Sequence, residues 1–531
     1  MKRGIGTMTT NQASPTTISL MQTSLELEAA RPPQMFHAVG RRWAAPALMA
    51  SLAFVLRLLY INHESVSGDE AFSMMVSRMP LHQMMATLIH DYVHPPLHYF
   101  ALRGWFALFG FGLFQARLLS AIFAALAVLF LYLVAECLFD RRTALLASLL
   151  LAISQLGIMF GQEVRPYAQF HFLALLAAYL FLRAFREGRA LYWWGFVGVS
   201  VLMLYTDYFS LYLIVALLAV PIIFRQANRL RVSWIVSGVA LIAAAYLPWV
   251  ASGILDAAAH ADKTFMGKEP YAAVHWYTLA SIVNSFNNGK PAGLRADSPW
   301  WSYIVGGLLF CVPVVWLFWK LALRSGSTAS RRNPESIARP DKENVAITFI
   351  LCLLPILLTL GAGAVLHIPY NVRYVTFCAA FYYLLVARAL AVLPSDALRW
   401  GVVALIVIYS ANALRANYFM RWKEHWTEAL TYFEEARQPG DCGFFPPDLA
   451  VAPQWPVSLA GRPGFQLITP EQFPPSPSTC PRVWEVSWAP RDDFRWLIEH
   501  QAGYEAALAS TYNRISEQRF FGVRLTLYSR R

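Results

Sequence analysis

The residues able to do chemistry fall into a few short clusters. GDEAF, Gly68 to Phe72, sets Asp69 beside Glu70, and HDYVHPPLHY then brings His90, His94 and His98. GQEVRPY supplies Glu163, Arg165 and Tyr167; HIPYNVRY supplies His367, Arg373 and Tyr374. A carboxylate can take the proton of a hydroxyl or fix its position. Guanidinium groups can hold the negative charge that grows on a departing group, and their planar donor fork suits phosphate. The set reads as a site for displacing a phosphate with a hydroxyl, provided that stretches some three hundred residues apart meet.

Hydrophobic elements have to bring them together. The 531 residues are 57% hydrophobic and only 14% charged, and the mean hydropathy is +0.42. A soluble chain carries about a quarter charged residues. Apolar runs lie near 43–61, 116–138, 144–160, 167–184, 191–206, 208–224, 232–254, 301–322, 345–366, 372–393 and 400–418. Their lengths predict a polytopic α-helical membrane protein with about eleven spans. The formal net charge of +12 does not point to nucleic acid, because its placement follows the membrane. Arg41 and Arg42, Arg141 and Arg142, the Arg183–Arg189 and Arg225–Arg231 groups and the basic 323–343 loop occupy alternate connections. Positive connections stay in the cytoplasm. The N-terminus is therefore expected inside, and the clusters around Asp69, Arg165 and Arg373 outside with the C-terminal segment.

The same alternation settles two ambiguous stretches. Pro96 to Phe114 is apolar, but a crossing there would invert every later basic loop. Its Gly and Pro punctuation predicts a helix lying in the outer interface. The 191–224 stretch crosses twice, with Asp207 at the turn. Residues 1–42 read as a polar cytoplasmic tail, 43–419 as the membrane domain and 420–531 as a small outward α/β domain. In that last part KEHWTEALTYFEEARQPGD predicts an amphipathic helix stopped by Pro-Gly, and VRLTLYS predicts a strand. Cys442 and Cys480 lie there, as a disulfide or as two buried thiols. His90, His94 and His98 have the spacing of a zinc-binding helix face, but Pro95 and Pro96 break that helix. Arg57, within the first span, and Arg117, at the mouth of the second, read as structural.

The order GDEAF, HPPLHY, RPY and VRY resembles the GT-C membrane glycosyltransferases over about residues 43–390. The likeness is to the bacterial Rgt-type branch, related to protein O-mannosyltransferases and aminoarabinose transferases. It implies sugar transfer from a polyprenyl-phosphate donor to an envelope acceptor at the outer face of the cytoplasmic membrane. By position, Asp69 is implied as catalytic base or acceptor-positioning carboxylate, with Glu70 as its catalytic partner or a group that hydrogen-bonds structure. Arg165, Tyr167, Arg373 and Tyr374 are implied at the donor phosphate, and His94 and Glu163 shape the site. Some branches use one divalent cation, for which Asp69, Glu163 and His94 are the candidate ligands. The outward connection holding His260, Lys263, Lys268 and His275 varies in the family and adds least. A transporter or flippase of lipid-linked sugars is the rival reading; it calls for internal repeats and mid-membrane charges.

Overall fold

The computed structural model describes residues 32–260, 274–275, 277–289, 300–326, 338–366, 370–419, 423–444, 466–468, 473–488 and 495–531. Lys263, Lys268, His367 and the first 31 residues lie outside them. Helix α1 spans Pro32–Leu58, so helix begins ten residues before the expected end of the tail at 42. Three short helices follow, α2 (Gly68–Arg78), α3 (Leu81–Asp91) and α4 (Leu97–Phe109). The bundle continues with α5 (Leu113–Leu138), α6 (Arg141–Ile153), α7 (Gln155–Gly161), α8 (Tyr167–Glu187), α9 (Ala190–Leu204) and α10 (Ser210–Ile223). Then come α11 (Val232–Trp249), α12 (Leu255–His260), α13 (Thr278–Asn288), α14 (Trp300–Gly326), α15 (Ala338–Leu366), α16 (Cys378–Ala391) and α17 (Asp396–Phe419).

Among the described residues, six helices are long and apolar enough to cross a bilayer, or seven if α6 and α7 form one bent span. Four shorter apolar helices, Trp43–Leu58, Ala190–Leu204, Ser210–Ile223 and Cys378–Ala391, coincide with the other expected runs. A straight crossing takes about 20 residues, so these four are shorter than expected. Helix α4 is 13 residues long and is not among the candidate spans, in keeping with the interfacial reading of Pro96–Phe114. Helices α5 and α8 form the buried centre, whereas α11, α14 and α17 leave most of their surface uncovered. In α16 every residue but Arg388 is buried.

The run 144–160, expected as one span, is bent by 60° between α6 and α7. Ser154 adopts an extended backbone there and caps the second helix, its Oγ accepting from the Gly157 amide at 3.0 Å. A break of this kind frees the carbonyls of the preceding turn, which need new donors. Arg57 provides them, donating to the carbonyls of Leu151 at 3.2 Å and Ala152 at 2.9 Å. A Cβ at Gly161 would stand 3.0 Å from the Arg57 side chain and from Ala124 Cβ, a tight contact that glycine avoids. Arg57 thus holds a bend that positions the connection carrying Arg165.

The opposite end of the bundle gathers basic residues. Arg388 pairs with Asp140 at 2.6 Å and Asp341 at 2.8 Å, and Arg186 donates to Asn344 at 2.5 Å. These belong to the connections expected to be cytoplasmic. At the chain's end, α18 (Trp426–Ala436) and α19 (Arg495–Thr511) cover the two faces of a five-stranded sheet, β1 (Cys442–Phe444), β2 (Gln466–Ile468), β3 (Arg482–Trp488), β4 (Tyr512–Phe520) and β5 (Val523–Arg530). The order is β2-β1-β3-β5-β4. β1 runs parallel to both its neighbours, whereas β5 is antiparallel to β3 and β4. Because strand side chains alternate, Val523, Leu525 and Leu527 meet Trp426 and Phe433 of α18. Tyr528 points the other way, into the cluster of Phe444, Tyr512 and Leu508 of α19. Cys442 and Cys480 are joined as a disulfide at the start of that second cluster.

Candidate functional site

Asp69 and Glu70 open a helix of their own rather than ending the first span. Ser67 and Glu70 form a capping box at the start of α2: Ser67 Oγ accepts from the Glu70 amide, and the Glu70 carboxylate accepts from the Ser67 amide at 3.0 Å. This arrangement turns the two neighbouring acids in different directions. Glu70 points inward and is fully buried. Its two oxygens accept from Arg117 Nε and Nη2, both at 2.8 Å, from Lys423 Nζ at 3.1 Å and from the Val164 amide at 3.2 Å. Burial alone would raise this carboxyl; Arg117 and Lys423 outweigh it and hold Glu70 well below the usual range. Glu70 thereby ties α2, α5, the 162–166 connection and the start of the C-terminal segment to one point. Arg117, read from the sequence as structural, spends its guanidinium on Glu70 and on the carbonyls of Ile61, Glu64 and Ser65. Lys423 was missed there, because a single lysine in a charged segment gives no signal of its own.

Asp69 points the other way, and half of its side chain (51%) stays open. Two guanidinium groups from distant parts of the chain face it. Arg373 Nη1 donates to its Oδ2 at 3.2 Å, and Arg165 Nε lies 3.9 Å from the same oxygen. Arg165 holds the Asp69 carboxyl down at about 2, against the upward push of burial and with help from Arg373. Asp69 is therefore ionised at neutral pH. Arg165 itself is almost wholly enclosed, its side chain 4% exposed. The connection that carries it is short and hangs from Glu70 through Val164.

Arg373 sits in a short 3-10 turn, Val372–Val375, in front of α16. Asn371 fixes that turn by accepting from the Arg373 amide at 3.1 Å. The run expected as helix from 372 therefore becomes regular only at Cys378, and the irregular turn is what carries Arg373 to Asp69. Tyr167, at the start of α8, accepts from Arg373 Nη1 through its hydroxyl at 3.3 Å. The Tyr374 ring stacks on Phe209, with centroids 4.3 Å apart. Asp207 holds the turn before Phe209, its Oδ1 accepting from the Phe209 amide at 2.9 Å; burial pushes its carboxyl up to about 7. The turn role expected for Asp207 matches that bond.

His94 joins the same cluster from the loop between α3 and α4. Its Nδ1 is 2.6 Å from Asp91 Oδ2 and its Nε2 2.5 Å from Arg165 Nη2. Burial and the Arg165 charge lower its pKa against the pull of Asp91. His98, in α4, meets Gln169 at 3.2 Å instead, so the three histidines share no face. Glu163 lies near Glu70, Asp69 and Lys423, and burial raises its carboxyl against the lowering charge of Lys423. Asp69, Glu163 and His94 do not assemble as ion ligands. Both ring nitrogens of His94 are engaged, and Asp69 faces two cations. No group of three possible ligands occurs among the described residues.

Residues 93–251 match the sequence model of a family described as dolichyl-phosphate-mannose-protein mannosyltransferase. This minority of the chain includes His94, Glu163, Arg165 and Tyr167. No curated protein sequence matches the chain. Among solved structures, ArnT from Cupriavidus metallidurans bound to undecaprenyl phosphate is similar with a TM-score of 0.54 at 13% identity, covering 92% of this chain and 98% of that one. The apo state of the same protein gives 0.54 at 14% identity over the same shares. At such identity the likeness speaks for the fold alone. The chain is a polytopic helical protein with the GT-C fold.

Proposed function

We propose that the chain transfers a sugar from a polyprenyl-phosphate carrier to a hydroxyl of an envelope acceptor at the outer face of the cytoplasmic membrane. The observation that carries this reading is the half-open Asp69 carboxylate facing Arg165 and Arg373, contributed by connections 208 residues apart in sequence. Such an arrangement offers an acceptor for a hydroxyl proton beside two donors for a phosphate. The basic residues at the opposite end of the bundle support the orientation, with the terminal sheet outside.

On this reading the donor phosphate enters between Arg165 and Arg373, with Tyr167 and Tyr374 lining its place. Asp69 orients the acceptor hydroxyl. The hydroxyl oxygen attacks the anomeric carbon, the bond from that carbon to the phosphate oxygen breaks, and its electron pair stays on the phosphate. The hydroxyl proton passes to Asp69 or through it to water. A single displacement inverts the anomeric configuration. Two nearby cations make the free Asp69 a weak base; a phosphate that draws those cations to itself raises the carboxylate's basicity where it is needed. Glu70, saturated by Arg117, Lys423 and Val164, acts as scaffold rather than as a second base. His94 and Glu163 shape the surroundings.

Mass spectrometry of envelope glycolipids, glycans and glycoproteins tests this. Cells with the intact chain should carry a sugar that cells with D69N lack, while D69N remains folded in the membrane. Identical sugar profiles with equal amounts of protein would contradict the proposal.

A further inference from the structure

Asp91, the last residue of α3, touches the site only through His94. Tyr92 follows with a left-handed backbone, φ 48°, and ends the helix. This reversal folds His94 back until its Nδ1 stands 2.6 Å from the Asp91 carboxylate. The other ring nitrogen is 2.5 Å from Arg165 Nη2. A guanidinium has donors and no acceptor, so Nε2 accepts and the ring proton sits on Nδ1, donated to Asp91. The carboxylate thereby selects the tautomer, as outer partners of histidines commonly do. The rings of Phe72 and Tyr99 flank the imidazole. The charged or titratable groups facing it are Asp91 from α3, Arg165 from the 162–166 connection, Asp69 from α2 and His98 from α4.

Arg165 needs this support. Among the described residues its Nη1 makes only long bonds, 3.4 Å each, to the Asp69 carbonyl and Ser73 Oγ, and its buried Nε has no hydrogen-bond partner. Among them the contact to His94 is its one short bond. We propose that Asp91 is a positioning residue for the site, holding His94 in the Nδ1-protonated form so that Nε2 aims the Arg165 guanidinium at the donor phosphate. This inference rests on the proposed phosphate role of Arg165.

Binding of undecaprenyl phosphate to the full chain in detergent micelles tests it, with thermal unfolding followed in parallel. R165A should bind about tenfold or more weakly, and D91A about tenfold more weakly, the scale of one charged hydrogen bond. D91N, whose amide oxygen can still accept from Nδ1, should recover most of the affinity. D91A on top of R165A should cost nothing further, whereas independent structural effects would multiply. Should D91A fail to fold, D91S takes its place in the same comparison. Weak binding by R165A with wild-type binding by D91A, or losses that multiply in the double variant, would overturn the role of Asp91 alone. Wild-type binding by R165A would overturn the phosphate role of Arg165, and the inference with it.

Discussion

The buried carboxylate of Glu70 offers the sharpest test of how the site is held. It accepts from Arg117 twice, from Lys423, and from the amides of Ser67 and Val164, and Arg117 and Lys423 are only 1% and 8% exposed. E70Q keeps the size but removes the charge, leaving two enclosed cations with the weaker company of Glu64 and Glu163. Breaking a buried pair from one side costs about 3–5 kcal/mol. K423M removes one cation but leaves the two-pronged Arg117–Glu70 pair intact, a loss of about 1.5–3 kcal/mol. Thermal unfolding of the purified chain in detergent should therefore rank wild type above K423M above E70Q. The pH dependence follows from the sign of the shift. Glu70 ionises near 4.5 when unfolded and lower when folded, so its stabilisation is complete above that value and is lost as pH falls below it. The gap between wild type and E70Q should narrow in acid. An E70Q chain that melts with wild type at pH 7, or K423M melting below E70Q, would refute the scaffold argument.

Three further outcomes are expected. Arg373 makes its contacts through one guanidinium end, so R373A should weaken undecaprenyl phosphate binding by about tenfold; R373K, a charge without the fork, should restore only part, which a binding titration reads directly. In the terminal sheet, burial raises the Glu485 carboxyl to about 7 beside the Tyr528 hydroxyl. A raised carboxyl costs stability once the unfolded form ionises and the folded form does not, so E485Q should melt higher than wild type at pH 8 and nearly with it at pH 4. The Cys442–Cys480 bridge closes a separation of 38 residues, and replacing both with Ser should lower the stability of the sheet region by roughly 2–4 kcal/mol, read as faster amide exchange in β1 and β3.

Much of the architecture was legible because hydrophobic length and charge alternation act locally. The eleven apolar runs are all helical, α4 lies outside the candidate spans, and the alternation in VRLTLYS became β5. The departures share a cause. Where the chain bends to build the site, side-chain partners replace regular helix: Arg57 satisfies the break at Ser154 from far away in the sequence, which no spacing reveals, and Asn371 caps the turn holding Arg373 from two residues before it, a local signal that the apolar run conceals. The divergent roles of Asp69 and Glu70 were partly readable, since Ser67 to Glu70 has the Ser-x-x-Glu pattern of a capping box that turns the second acid inward. Lys423 gave no such sign, because its partner Glu70 lies across the fold; Asp91 and His94 are only three residues apart, but they meet through the left-handed turn at Tyr92, which their spacing does not announce.

A cryo-electron microscopy map of the chain with undecaprenyl phosphate bound would test the central assignment most directly. The phosphate is expected within hydrogen-bond reach of both Arg165 and Arg373, with the Asp69 carboxylate left open beside it. A phosphate held elsewhere, with those two guanidinium groups still closed on Asp69, would contradict the account.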